Sequence, residues 1–292
     1  CLLCYRWLDR WEPEPTRLTV MALIWGGSAG VIFSFLVEMA IPASEFVTMA
    51  IVAPLAEELA KASVFILVAT GARKLELTSL TDHIFYAGIC ALGFAFVENL
   101  GYFALSSSAG EFVVMTLVRT GFGVFGHPLY TTATAVGIWA WRTKGGLWKA
   151  AVGYIAACLL HGLWNGGPTL LAGSLGLDDT GQLAAMILVY IVLFVPVFIG
   201  TIIMTTRNRR NEYEAVRSQL PLMVEAGLVT PAEADMIADP RKRRAILADS
   251  GKYGRVAKRN QKRTITAATE AALAQHRIAC LLYTSDAADE ED

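Results

Sequence analysis

Ionisable side chains interrupt stretches of sequence that are otherwise apolar, and this feature constrains the chain more than any other. Four separate apolar segments contain them, at Glu57, Glu58, Lys61, Glu98, His127 and His161. A charged group at the centre of a bilayer costs roughly 2.5–3.5 kcal/mol on insertion scales. A chain that only had to cross a membrane would carry Leu at these positions. The pattern therefore predicts a functional site buried inside a helical membrane protein.

The apolar stretches are long enough to be membrane spans. Hydrophobic residues make up 54% of the chain and charged residues 17%, and crossing a bilayer as a helix takes about 20 residues. Six stretches meet that length, near residues 18–39, 45–71, 83–105, 112–141, 148–173 and 183–205. We expect an all-α, polytopic transmembrane helical bundle of about six spans. The chain starts without Met, and its first residues resemble the last turn of an earlier span, which predicts further spans upstream.

Basic residues occupy alternate loops between these stretches. The loops near 40–44, 106–111 and 174–182 contain no Lys or Arg. The other loops and the two flanks carry Arg6, Arg10, Arg17, Arg73, Lys74, Arg142, Lys144, Lys149, Arg207, Arg209 and Arg210. Because Lys and Arg favour the cytoplasmic side, both ends of the chain are predicted to be cytoplasmic. The predicted division is a juxtamembrane segment at 1–17, a transmembrane core at 18–206 and a basic helical tail at 207–279.

The tail has a helix signature and a basic run. Thr230 followed by Pro231 and Glu233 is typical of a helix start, and Asp239-Pro240 predicts the end of that helix. The run Arg241-Lys242-Arg243-Arg244 predicts attraction to anionic lipid headgroups. Nucleic acid is not an expected partner, because no aromatic residues alternate with these bases. Residues 280–292 resemble the translation of a transposase-type sequencing adapter and are left out of the fold prediction.

The acidic and basic residues of the second stretch can pair along one helix. Glu57 and Lys61 are spaced i,i+4, and Glu58 and Lys61 are spaced i,i+3. Lys61 can neutralise either carboxylate, which leaves the other to act as a general acid or base. A purely structural ion pair is the alternative. Two adjacent glutamates are more than such a pair requires.

Three further stretches each contribute one ionisable residue. Glu98 follows Phe94 at i+4, His127 precedes Thr131 at i+4, and His161 precedes Asn165 at i+4. Buried in a membrane, these groups must face one another or a water-filled cavity. Arg119 lies about two turns before His127. It either faces the same cavity, where it binds Glu98 or a substrate carbonyl, or extends to the outer interface.

Two chemistries fit this set. In the first, Glu98, His127 and His161 bind Zn²⁺ and Glu57 or Glu58 activates water, as in His₂Glu metalloproteases. In the second there is no metal. A glutamate then activates water directly, and His127, His161 and Asn165 stabilise the oxyanion. Sequence alone leaves both open.

The ordered motifs resemble the PrsW family of intramembrane proteases, which is related to the CAAX prenyl endopeptidase and bacteriocin-immunity group. The matching motifs are Glu57-Glu58-x-x-Lys61, Phe94-x-x-x-Glu98, His127 and His161-x-x-x-Asn165, together with the juxtamembrane segment at 9–15. Lys61 occupies the fifth position of the first motif, whereas the prenyl endopeptidase branch has Arg at the sixth position. This difference favours the PrsW branch. The resemblance covers roughly residues 7–205.

The resemblance implies a peptidase of a bacterial-type cytoplasmic membrane. Its catalytic residues would be Glu57, Glu58, Lys61, Glu98, His127, His161 and Asn165. Some relatives cut anti-sigma factors in regulated proteolysis, so a membrane-anchored protein is the expected substrate. A transporter or proton relay could use the same buried Glu and His residues, and a non-catalytic scaffold is a third reading. We find no convincing inverted repeat, the feature that would favour transport.

Overall fold

The computed structural model describes residues 2–8, 14–68 and 77–289, and 89% of it is helical. No β-strand occurs in the described part of the chain, so the all-α prediction is confirmed. Cys1 and residues 9–13, 69–76 and 290–292 lie outside it, and with them most of the juxtamembrane motif and three predicted cytoplasmic bases, Arg10, Arg73 and Lys74. One compact unit holds Glu14–Thr205 and the N-terminal helix, and a second unit begins at Thr206.

The helices follow one another with short connections. In chain order they are α1 (Leu2–Leu8), α2 (Thr16–Ala40), α3 (Ala53–Ala62), α4 (Val64–Val68), α5 (Leu80–Ala104), α6 (Ala109–Thr116), α7 (Gly126–Lys144), α8 (Trp148–Leu175), α9 (Thr180–Glu225), α10 (Pro231–Ala238), α11 (Pro240–Lys252) and α12 (Arg255–Asp289). Helical turns over Glu45–Val47 and Thr48–Val52 lead into α3. The second of these is π-helical, as is Leu117–Phe122.

The number of helices apolar enough to cross a membrane is smaller than the six expected. Within the described residues, α2, α5 and α9 qualify. A fourth qualifies if Ala109–Gly121 and Gly123–Lys144, bent by 52°, form one span. In the part of the chain that the structure describes, the stretches at 45–68 and 148–173 do not. The first carries Glu57, Glu58 and Lys61 and is interrupted at Ser63, and the second carries His161, Asn165 and several glycines, which lower its mean hydropathy.

Helix α5 is the centre of the first unit. Ser79 and Asp82 form a capping box at its start, and its first half is buried almost completely. Its backbone nearly touches that of α2, because a Cβ placed on Gly93 would lie 2.0 Å from the carbonyl oxygen of Leu23. Helices α7 and α8 also approach closely, where a Cβ on Gly153 would lie 2.6 Å from the carbonyl oxygen of Ala133. These contacts bring together the helices that carry the predicted site.

The second unit has its own apolar core. Thr230 caps α10 through a capping box with Glu233, and α10 ends at Ala238, so both predicted ends of this helix are confirmed. The core cluster includes Val216, Leu220, Ile237, Ala272 and Leu273. Arg243, from the predicted basic run, is buried and donates to the carbonyl of Ile237 (2.7 Å) and to Thr269 Oγ1 (3.1 Å). Burial lowers the pKa of Arg243 to about 10, so this base is part of the core.

Candidate active site

Three charged residues of α3 meet on one side of that helix. Glu57, Glu58 and Lys61 are all buried. Lys61 Nζ lies 3.2 Å from Glu57 Oε2 and 2.8 Å from Glu58 Oε1. The i,i+3 and i,i+4 spacings of the sequence allowed Lys61 to pair with either carboxylate. In the structure it pairs with both at once.

His127 joins this group from the first turn of α7. A π-helical turn and a short 3₁₀ turn precede α7, so the helix axis changes direction just before the histidine. His127 Nε2 lies 2.8 Å from Glu98 Oε2 of α5. Its other nitrogen, Nδ1, lies 2.8 Å from Lys61 Nζ and 3.8 Å from Glu57 Oε2. One imidazole nitrogen, Nε2, is therefore held by Glu98, while the other nitrogen, Nδ1, faces α3.

His161 of α8 repeats this arrangement with different partners. Its Nδ1 lies 3.1 Å from Glu58 Oε1, and its Nε2 lies 3.8 Å from Glu57 Oε2. Glu58 is held in turn by Thr131 of α7, whose hydroxyl donates to Glu58 Oε2 at 2.8 Å. Each histidine thus has one nitrogen on an orienting carboxylate, while the other points towards Glu57.

The donor atoms of Glu57, His127 and His161 all lie within 4.8 Å of one another, as the ligands of one metal ion would. Zinc–ligand bonds of about 2.0–2.1 Å in a tetrahedron place ligand atoms roughly 3.4 Å apart. The two 3.8 Å separations from Glu57 Oε2 are close to this. Histidine ligands also commonly have their second nitrogen on a carboxylate. The donor set therefore fits zinc, provided that Lys61 Nζ moves away from His127 Nδ1.

Glu98 has a different place from the one that the sequence suggested for a ligand. It contacts Nε2 of His127, whereas Glu57 faces Nδ1 of His127 and Nε2 of His161. Arg119 forms an ion pair with Glu98, and its Nε donates to Asn99 Oδ1. Its guanidinium also lies 3.8 Å from the ring centroid of Tyr102. Of the two alternatives for Arg119, the structure has the one in which it binds Glu98.

Asn165 lies one turn beyond His161 but turns to the backbone. Its amide donates to the carbonyl of Met49 at 3.0 Å, in the π-helical turn that leads into α3. Among the described residues it is bonded to none of the buried Glu and His side chains. This contact ties α8 to the start of α3.

Tyr130 is the aromatic neighbour of both histidines, and sequence reasoning missed it. Its ring stacks on His161 with centroids 4.8 Å apart and lies edge-on to His127 at 5.8 Å. The spacing held a signal, since Tyr130 follows His127 at i+3 and so shares its helix face. Phe94 is another aromatic residue of the site, with its ring centroid 4.3 Å from Lys61 Nζ. The sequence analysis used Phe94 only as part of a motif.

A cavity of about 840 Å³ lies against this cluster. Apolar residues of α2 and α5 and the segment before α7 form most of its wall, among them Leu23, Ile24, Phe96, Val97 and Val124. Arg119, His127 and Tyr130 supply its polar end. The cavity can therefore hold an apolar chain with one polar group directed at the histidines.

Comparison with known families gives one match. The family model described as PrsW family intramembrane metalloprotease matches residues 14–201, which is more than half of the chain and contains every residue of the cluster. Neither a search of curated proteins nor a search of solved structures finds a significant match.

Proposed function

Because the chain belongs to the PrsW family of intramembrane metalloproteases, we propose that it hydrolyses peptide bonds of membrane-anchored proteins with water activated at Glu57, His127 and His161. The observation that carries this proposal is that one donor atom from each of these three residues converges in a buried site. Each histidine also contacts a second carboxylate, which can orient it. Anti-sigma-factor-like regulators are the substrate class that the family suggests. Family membership favours hydrolysis over transport and over a non-catalytic scaffold.

The residues divide into two roles in this proposal. Glu57, His127 and His161 would hold zinc, which supplies a Lewis acid and lowers the pKa of a bound water. Glu58 and Glu98 fix the ring orientation of the two histidines, and Lys61 compensates the charge of the α3 carboxylates. In the metal-free alternative, Glu57 takes the proton of the water directly. Lys61 then stays where it is, at hydrogen-bond distance from Glu57, Glu58 and His127.

The large cavity is the proposed position of the substrate. Its apolar wall suits the side chains of a membrane-embedded peptide segment, and its polar end brings the scissile bond to His127. The peptide would enter beside the bend before α7, where the helix is already irregular.

We propose that six segments cross a bacterial-type cytoplasmic membrane. Both ends of the chain would lie on its cytoplasmic side. The stretches at 45–71 and 148–173 would cross as site-lining segments, with their buried polar residues facing the site and exposed apolar residues such as Leu59 and Leu159 facing lipid. Residues 18–206 would form the protease core. The tail at 207–279 would contact anionic headgroups.

Metal content and cleavage, measured on the same purified protein, test the proposal. We expect stoichiometric zinc by elemental analysis and cleavage of single-span membrane proteins in detergent. Glu57→Gln should lower cleavage about 10²–10⁴-fold, the range for loss of a group that activates the nucleophile, and should reduce bound zinc. Glu45→Gln is the matched control, because Glu45 is an exposed carboxylate of the same sequence segment.

Two results would change the proposal in different ways. An active protein without metal would remove the zinc assignment and leave Glu57 as the general base. Unchanged cleavage in Glu57→Gln and in His161→Ala would show that the site is wrong.

A further inference from the structure

The hydroxyl of Tyr130 is buried without a hydrogen-bond partner in the described part of the chain. Only 1% of the residue is exposed. Burial of an unpaired hydroxyl is unfavourable, and native proteins contain few such groups. Phe at this position would give the same ring packing without that cost. The hydroxyl therefore requires a partner from outside the described chain.

Three aromatic contacts fix the ring and with it the direction of the hydroxyl. Tyr130 stacks on His161 at an interplanar angle of 23°, and meets both His127 and Phe194 edge-on at 5.8 Å. Two of these three neighbours are members of the proposed metal site. A ring held in this way keeps its hydroxyl in one place without a hydrogen bond.

Tyr130 lies at the edge of the large cavity beside the site, with its hydroxyl near the start of α7. Long side chains on a helix lean towards its N-terminus, and a Cβ on Gly126, at the start of α7, would lie 2.8 Å from Tyr130 Oη. Tyr130, Gly126 and His127 all line the cavity. The absence of a side chain at Gly126 gives the hydroxyl room at this position, next to the cavity wall. Several described residues have a buried side-chain atom without a hydrogen-bond partner. Of these residues, Tyr130 alone lines this cavity.

We propose that Tyr130 is a further catalytic residue, whose hydroxyl donates a hydrogen bond to the oxyanion formed at the scissile carbonyl. As the water oxygen bonds to the carbonyl carbon, the π electrons of the C=O bond move to its oxygen, and a carboxylate of the site accepts the proton of the water. Tyr130 remains covalently unchanged and stabilises the new negative charge. This assignment rests on the proposed peptidase function and holds for its metal-dependent and metal-free forms.

The variant Tyr130→Phe isolates the hydroxyl, because the ring contacts remain. Loss of one oxyanion donor lowers kcat about 10²–10³-fold, and we expect that fall on a quenched fluorescent peptide of apolar sequence, with KM and metal content unchanged. A phosphinic peptide of the same sequence mimics the oxyanion. Tyr130→Phe should weaken its binding by a similar factor and leave binding of the uncleaved amide peptide unchanged.

Tyr154→Phe is the matched control, since it removes a tyrosine hydroxyl that donates to the backbone of Leu55 outside the cavity. Its kcat and phosphinic-peptide affinity should equal those of the wild type. An active protease in which Tyr130→Phe also behaves as wild type overturns the assignment of Tyr130 alone. Reduced metal content in Tyr130→Phe with unchanged kcat per bound metal would also overturn the assignment, because the hydroxyl would then be structural. A wild-type protein that cleaves no peptide would overturn the proposed peptidase and, with it, the catalytic role of Tyr130, even if the phosphinic peptide binds through the hydroxyl.

Discussion

At the scale of single residues, the buried carboxylates have different neighbours, and for this reason we propose different roles for them. Glu58 accepts hydrogen bonds from Lys61, His161 and Thr131, so both its oxygens are already in use. Glu57 Oε2, in contrast, faces both histidines at 3.8 Å. Adjacent glutamates of one helix turn can thus serve as ligand and as orienting group.

Thr131 tests this division, because its hydroxyl contacts Glu58 Oε2 (2.8 Å) in addition to the backbone carbonyl of His127 (3.0 Å). Thr131→Val removes the hydroxyl that holds Glu58 Oε2, and loss of such an outer contact typically costs 10–100-fold in metal affinity. We expect that loss in a zinc-chelator competition titration. Thr132→Val is the control, because the Thr132 hydroxyl donates to the backbone carbonyl of Pro128. Equal zinc affinity in the two variants would contradict the role given to Glu58.

At the scale of helices, close backbone contacts set the positions of the site-bearing elements. Small residues let transmembrane helices approach, and Gly93 of α5 is such a position, facing Leu23 and Gly27 of α2. The irregular turns serve another purpose. The turns at 117–125 redirect the chain so that α7 begins at the site.

Gly93→Ala should destabilise the first unit. Its new methyl group would lie 2.0 Å from the Leu23 carbonyl oxygen, and overpacking of this kind costs about 1–3 kcal/mol. Gly101→Ala, in the same helix, meets no atom within 4 Å and should be neutral or slightly stabilising. Unfolding midpoints in detergent provide the comparison. Equal midpoints would show that α2 and α5 are not in close contact.

At the scale of the whole molecule, the tail carries a basic surface of its own. Between Pro240 and Arg263 the sequence has ten Lys or Arg and one acid, Asp249. Five of these bases follow the spacing of one helix face in α12: Arg255, Lys258, Arg259, Lys262 and Arg263. All five are exposed, and among the described residues no carboxylate pairs with them. Exposed Tyr253 and Val256 flank the start of this face.

The lipid contact proposed for the tail predicts protection by anionic membranes. In phosphatidylglycerol-containing nanodiscs, trypsin should cleave this face more slowly than in phosphatidylcholine nanodiscs. Each base near an anionic surface contributes about 1 kcal/mol, so Lys258→Glu with Arg259→Glu should remove most of the protection. Arg217→Glu, at an exposed position on α9, is the control. Equal cleavage in both lipids would contradict the contact, and protection by added RNA alone would indicate nucleic acid instead.

The sequence by itself determined the helical class, the set of buried ionisable residues and the capped helix α10. Apolar length, the cost of buried charge and local capping are written in neighbouring residues. Only the tertiary structure decided that Glu57 faces the histidines, that Glu98 contacts His127 and that the ring of Tyr130 contacts both histidines. Successive residues of a helix point about 100° apart, so which glutamate faces the site depends on how α3 is rotated against α5, α7 and α8. That rotation is set by packing contacts between residues far apart in the chain.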